Sequence, residues 1–209
     1  MKKANTSQSI VRLTLTAIFT ALILLMTVTP LGYLKTAGLE ITFLMLPVAF
    51  GAMTVGPKAG AFLGGIWGLT SFAQCYGILG ASAFGAALRS INPWLTFIVC
   101  FVPRVLVGLL TGLIFRAVAK VDKTGVLCFG VGSIAAAVLN TVLFMTALCL
   151  CFYHTAFIQN MANQLHASNV IMFIVLFVGI NGLVEAAACV FISFPVSKLL
   201  STVVKRITQ

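Results

Sequence analysis

The reading of this chain starts from Gly56-Pro-Lys-Ala-Gly-Ala-Phe-Leu-Gly-Gly-Ile-Trp-Gly-Leu-Thr-Ser-Phe72. Gly56-Pro57 is a turn signal, Lys58 adds one cation, and an apolar helix follows. Gly60, Gly64 and Gly68 recur every four residues and stack on one face of it. In water such a ladder is a defect, since each glycine costs a helix about 1 kcal/mol relative to alanine. In lipid, helices gain little by burying apolar surface against each other and associate through close backbone approach at small residues. The stretch therefore predicts a membrane helix around which the others pack. Trp67, at the edge of the same face, is expected to look into whatever the bundle encloses.

Composition agrees. Of 209 residues, 61% are hydrophobic and 8% charged, against about 25% charged in a soluble domain. Mean hydropathy is +1.15. These values predict an integral membrane protein whose length suits one domain, residues 1–209. The net charge of +10 does not mark a nucleic-acid binder, because the cations sit at the ends of apolar spans. Six cysteines, Cys75, Cys100, Cys128, Cys149, Cys151 and Cys189, lie in or beside apolar runs with no Cys-x-x-Cys pair. They read as small buried apolar residues rather than as metal ligands or disulfides.

Six spans are expected, at about 10–28, 41–55, 57–76, 93–118, 126–152 and from 169 past Pro195. The first is of spanning length and has no small-x-small cleavage site, which argues against a signal peptide. The second is short, and Pro47 in its middle predicts a kink. Six spans put both termini on one side. Ten cations then fall there: Lys2, Lys3, Arg12, Lys58, Arg116, Lys120, Lys123, Lys198, Lys205 and Arg206. Lys35 and Arg89 fall on the other. That asymmetry predicts cytoplasmic termini in the plasma membrane, with loops 29–40, 77–92 and 153–168 facing outward. Short inner turns and long outer loops describe a cup open to the outside.

The polar residues inside the spans are the candidate site. Arg104 sits near the middle of the fourth span, Asn140 at mid-depth in the fifth, and Asn181 and Glu185 one turn apart in the sixth. A charge at the bilayer centre costs at least about 2.5–3.5 kcal/mol, so these groups are expected to face inward. One reading has Arg104 and Glu185 neutralising each other with the asparagines completing the hydrogen bonds. Another has them holding a ligand. The two are compatible, since such a network forms the floor of a site. Trp67, Gln74, Arg89, Asn92 and Trp94 would make the wall and Tyr33 the top, although Tyr33 and Trp94 also suit an interfacial aromatic belt. In the first span Ala17 and Ala21 form a flat strip that serves either packing in the bundle or docking of another protein.

Absences narrow the function. Three acidic residues in the whole chain leave no two-carboxylate site. No His-Glu-x-x-His, Gly-x-Ser-x-Gly or phosphate loop occurs, so an enzyme is not expected and ATP is not used by this chain. His154 and His166 stand apart in an outer loop. No internal repeat is evident, which weighs against an inverted-repeat carrier.

With those features in place the chain resembles the substrate-binding S component of an energy-coupling factor (ECF) vitamin importer. The resemblance rests on six spans in about 200 residues, Ala17-x-x-x-Ala21, Gly56-Pro57-Lys58-x-Gly60-x-x-x-Gly64, Phe101-Val-Pro-Arg-x-Leu-Val-Gly108, Asn140-Thr141 and Asn181-x-x-x-Glu185. It covers nearly the whole chain, and the order and spacing of the motifs carry it. It implies an all-α bundle of six transmembrane helices that binds a vitamin or related micronutrient from outside. The first-helix alanines, Ala17 and Ala21, would dock on a transmembrane coupling subunit, and two ATPase subunits would drive release. Within the family the chain is most similar to pantothenate-type members. Folate, riboflavin, cobalamin and queuosine-precursor types share the scaffold. Arg89 and Arg104 suit an anionic ligand. The alternative is a stand-alone channel or proton-coupled carrier with Glu185 as the titrating group.

Overall fold

The computed structural model describes residues 2–29, 32–35, 40–122 and 127–179. The elements run α1 (Lys2–Val28), β1 (Tyr33–Lys35), β2 (Glu40–Thr42), α2 (Met45–Thr54), α3 (Pro57–Gln74), α4 (Ala83–Ile91), α5 (Pro93–Ala119), α6 (Leu127–Phe152) and α7 (Ala156–Gln164). A last helix, α8 (Val170–Gly179), closes the described part. Among the described residues three helices are long and apolar enough to cross a membrane: α1 from Gln8, α5 and α6. Large apolar side chains on their outer faces, such as Leu13, Leu25, Val102, Leu113, Val142 and Leu150, are exposed, as lipid-facing residues would be.

The glycine face joins α3 closely to α5, while α6 packs on α5 rather than on α3, so α3 and α5 together, not α3 alone, form the centre of the bundle. α3 and α5 run antiparallel and make the most extensive helix pair, while α1, α2 and α4 also touch α3. A methyl group at Gly60 would strike the Gly108 carbonyl oxygen, one at Gly64 the Arg104 carbonyl oxygen, and one at Gly108 the Gly60 carbonyl oxygen. At Gly68 it would come within 2.9 Å of Phe101 Cα. These are backbone atoms that cannot swing aside, so the two helices approach this closely only where the side chain is missing.

Two ends can be distinguished. Gly56, at φ +126, begins α3, and a side chain there would meet Arg116 Nη2 at 2.5 Å. The α2–α3 turn and the last turn of α5 thus share one end, with exposed Lys58 and Lys120 beside them. The β-hairpin, α4 and α7 follow or precede the opposite helix ends. α4 and α7 meet there through Phe84 and Phe157, whose ring centroids are 5.8 Å apart.

Three expectations need correction. The segments 29–40, 77–92 and 153–168 are not plain loops: they contain β1 and the start of β2, all of α4, and α7. β1 and β2 pair antiparallel, with Tyr33 opposite Thr42, so the chain is helical but not wholly so. The expected second span is a 10-residue helix that follows strand residues. At about 1.5 Å per residue it covers roughly half of a hydrocarbon core. Pro47 introduces no interior break, because it is the third residue of α2, where the backbone N–H has no intrahelical acceptor to lose.

Apolar packing falls into two clusters. One joins α1, α2, α3, α5 and α6 around Phe19, Ile23, Met45, Leu63, Trp67 and Phe129. The other joins α4 to α8 around Leu88, Val99, Leu148, Ile158 and Phe173.

Candidate functional site

Arg104 lies near the middle of α5, one residue after Pro103. Proline has no N–H, so the helical bond from residue 103 to the Val99 carbonyl cannot form. The Arg104 side chain takes its place: Nη1 donates to the Val99 carbonyl oxygen at 2.7 Å. The guanidinium carbon stands 4.5 Å from the centroid of the Phe144 ring and 5.4 Å from that of the Trp67 ring. Two aromatic rings, from α3 and α6, therefore hold a cation whose one edge is tied to its own helix.

The remaining donors are the notable part. Arg104 Nε and Trp67 Nε1 are buried and have no hydrogen-bond partner among the described residues. Trp67 itself is 0% exposed. A buried donor without an acceptor costs about 1–3 kcal/mol, and two of them lie on adjacent side chains. Such a site calls for an acceptor, and a planar guanidinium fixed by its other edge suits a carboxylate. Asn140 is buried on α6, one turn before Phe144 and on the same helix face.

The other expected site residues are placed as follows. Gln74 is buried, and its Nε2 donates to the Leu79 carbonyl oxygen at 3.3 Å. Asn92 caps α5, its Oδ1 accepting from the Trp94 and Leu95 backbone N–H groups at 3.0 and 3.2 Å. Arg89, in the last turn of α4, lies over the Tyr76 ring at 4.6 Å. Trp94 is 80% exposed, as a belt residue would be. Tyr33 belongs to β1, and its side chain lies outside the described residues, as do Asn181 and Glu185 altogether. The structure thus brings Trp67 and Arg104 together and gives Gln74 and Asn92 backbone partners. Phe144 was missed by the sequence reading, although its position four residues after Asn140 was the available signal. The freed carbonyl of Val99 was also missed, though Pro103-Arg104 implies it.

Ala17 and Ala21 are exposed on α1. Phe19, Ile23 and Thr27 form the buried side of that helix. The alanines lie two residues off those positions, about 200° around the helix, on the side turned away from the core.

Apolar helices locked together by glycines around a part-buried cation are the features of a helical membrane protein. The comparisons with known proteins agree. A family described as "ECF transporter, substrate-specific component" matches residues 11–197. The chain belongs to that family. A relative from Leuconostoc mesenteroides subsp. mesenteroides, named pantothenate transporter PanT, is 35% identical over 62% of this chain and 64% of its own length. Another from Lactococcus lactis subsp. cremoris, named pantothenic acid transporter PanT, is 34% identical over 54% of this chain and 59% of its own. The chain therefore matches somewhat less than two thirds of each relative's length. Family and relatives are transporters, not enzymes.

Proposed function

We propose that this chain is the substrate-binding subunit of an ECF-type importer, with pantothenate as its substrate. It lies in the plasma membrane as a single multi-pass domain with both termini cytoplasmic, and its hairpin, α4 and α7 face outward. Substrate enters from that side. Trp67, Arg104, Asn140 and Phe144 form the floor that receives it, with Asn181 and Glu185 of the last span completing it. Tyr33, Gln74, Arg89 and Asn92 lie toward the entrance. Ala17 and Ala21 dock on a transmembrane coupling subunit, and two ATPase subunits supply the energy. The chain carries no cofactor of its own.

The observation that carries this reading is Arg104. It is clamped between Trp67 and Phe144 and tied to Val99, and its buried Nε has no partner among the described residues. A small acid with one carboxylate matches that remaining edge, and pantothenate is such an acid. The relatives' names support the same choice.

The test is calorimetry with the purified chain, titrating pantothenate, riboflavin and folate, alongside mass spectrometry of small molecules retained through purification. Pantothenate is expected to bind and the other two not to. Retention of a different vitamin with no heat from pantothenate would overturn the substrate. Pantothenate uptake by vesicles that hold this chain without any ATPase would replace the importer with a carrier.

A further inference from the structure

We propose that Cys75 and Cys100 form a redox-modification site, a thiol pair that a peroxide closes to a disulfide tying the outer end of α3 to α5. Their sulfurs are 3.8 Å apart, and the residues are 3% and 7% exposed. Cys75 is the C-cap of α3, and its Sγ is 3.4 Å from the Ser71 carbonyl oxygen. Small residues bring the pair together. The missing side chain of Gly68 lets the Cys100 carbonyl oxygen approach the place a methyl would occupy, at 3.0 Å. Gly85 of α4 sits against the Cys75 sulfur, 2.5 Å from where its own Cβ would be. The other described cysteines, Cys128, Cys149 and Cys151, all lie on α6 and have no sulfur neighbour of this kind among the described residues.

The chemistry needs one two-electron oxidant, taken here as hydrogen peroxide. One sulfur, having lost its proton, attacks a peroxide oxygen. The O–O bond breaks, a sulfenic acid forms, and the departing hydroxide takes up the proton as water. The second sulfur then attacks the sulfenic sulfur, expelling hydroxide, which leaves as water with the second thiol's proton. Two thiols and one peroxide give one disulfide and two waters. A disulfide of about 2.05 Å draws the sulfurs together from their present separation. Cys100 adjoins Val99, whose carbonyl holds Arg104. On the reading given above, closure therefore also alters ligand affinity, but the covalent event does not depend on that reading.

The experiment uses the full chain with Cys128, Cys149, Cys151 and Cys189 changed to serine, in detergent. It is treated with hydrogen peroxide, unfolded in dodecyl sulfate, labelled with a maleimide and weighed intact. Wild type is treated in parallel and its peptides are mapped for a Cys75–Cys100 cross-link, so a variant that fails to fold does not decide the matter. Expected are loss of both maleimide adducts, a mass lower by two hydrogens, a monomer on a non-reducing gel, and reversal by dithiothreitol. Adding Cys75→Ser should abolish the two-hydrogen loss. Two adducts after peroxide, added oxygen without cross-linking, or a disulfide-linked dimer would overturn the proposal.

Discussion

Arg104 donates from Nη1 to the Val99 carbonyl oxygen at 2.7 Å, replacing the helical bond that Pro103 cannot make. The proline and the arginine thus act as a unit: one frees an acceptor, the other uses it and is oriented by it. Arg104→Met strands that carbonyl, with an expected cost of about 1–3 kcal/mol. Pro103→Ala returns an N–H to the helix. The double variant should therefore be more stable than Arg104→Met alone, by thermal unfolding in detergent. Pro103→Ala alone should keep or raise stability yet weaken ligand binding, since Arg104 loses its tether. If the stability changes of the two single variants, whatever their sign, simply add in the double variant, the two residues are not coupled.

The glycine contacts predict a second contrast. Gly64→Ala places a methyl against the Arg104 carbonyl oxygen, and Gly108→Ala places one against the Gly60 carbonyl oxygen. Neither backbone can yield without separating α3 from α5, so both variants should lose the folded monodisperse species on gel filtration. Gly130→Ala meets nothing within 4 Å. It should be neutral or gain up to about 1 kcal/mol from helix propensity. Equal behaviour of all three would mean that the α3–α5 contact is looser than it stands here.

These two cases show what was legible in the sequence. Gly60, Gly64 and Gly68 could be read because helical periodicity alone assigns them one face, whatever the tertiary structure. Arg104 stood out because a charge in an apolar span needs a reason. The capping role of Asn92 was legible but passed over: an asparagine followed by Pro93 is an N-cap signature, and its side chain caps α5. α4 and α7 carry a clear amphipathic periodicity, but they lie in short stretches rich in small or polar residues between the apolar spans and so were read as loops. The Gln74 bond was beyond reach, since it depends on the backbone conformation at Leu79. For Phe144, spacing from Asn140 gave its face of α6, but its contact with Arg104 depends on how α6 packs against α5.

Leu79 has φ +64, a left-handed conformation unfavourable for a residue with a side chain, and Gln74 holds its carbonyl. Leu79→Gly should stabilise the α3–α4 connection by about 0.5–1 kcal/mol. Gln74→Ala should loosen it. Hydrogen exchange at residues 77–85 is the measurement: slower with glycine, faster with alanine. The reverse order would show that Gln74 does not support this turn.

The proposed orientation can be tested without ligand. Lys120 and Asn160 are exposed near opposite ends of the bundle. In a cysteine-free background, Asn160→Cys should react with an impermeant thiol reagent on intact cells and Lys120→Cys only after permeabilisation. The opposite pattern would invert the bundle, and the entrance with it.

The last prediction concerns docking. Ala17 and Ala21 are exposed and lie across α1 from Phe19, Ile23 and Thr27, which are buried. Bulk at 17 or 21 should therefore leave the fold intact, because it points away from the core. If the strip meets a partner helix, a larger side chain adds about 1–3 kcal/mol of overpacking at a tight contact. The proposed ligand floor draws on α3, α5 and α6, not on this face of α1. Ala17→Trp and Ala21→Trp should consequently bind pantothenate like wild type in calorimetry, while losing pull-down of the coupling subunit and ATP-dependent uptake. Normal uptake would show that this strip faces only lipid. Loss of binding together with uptake would place the alanines inside a contact with the bundle, and the docking face would have to be sought elsewhere.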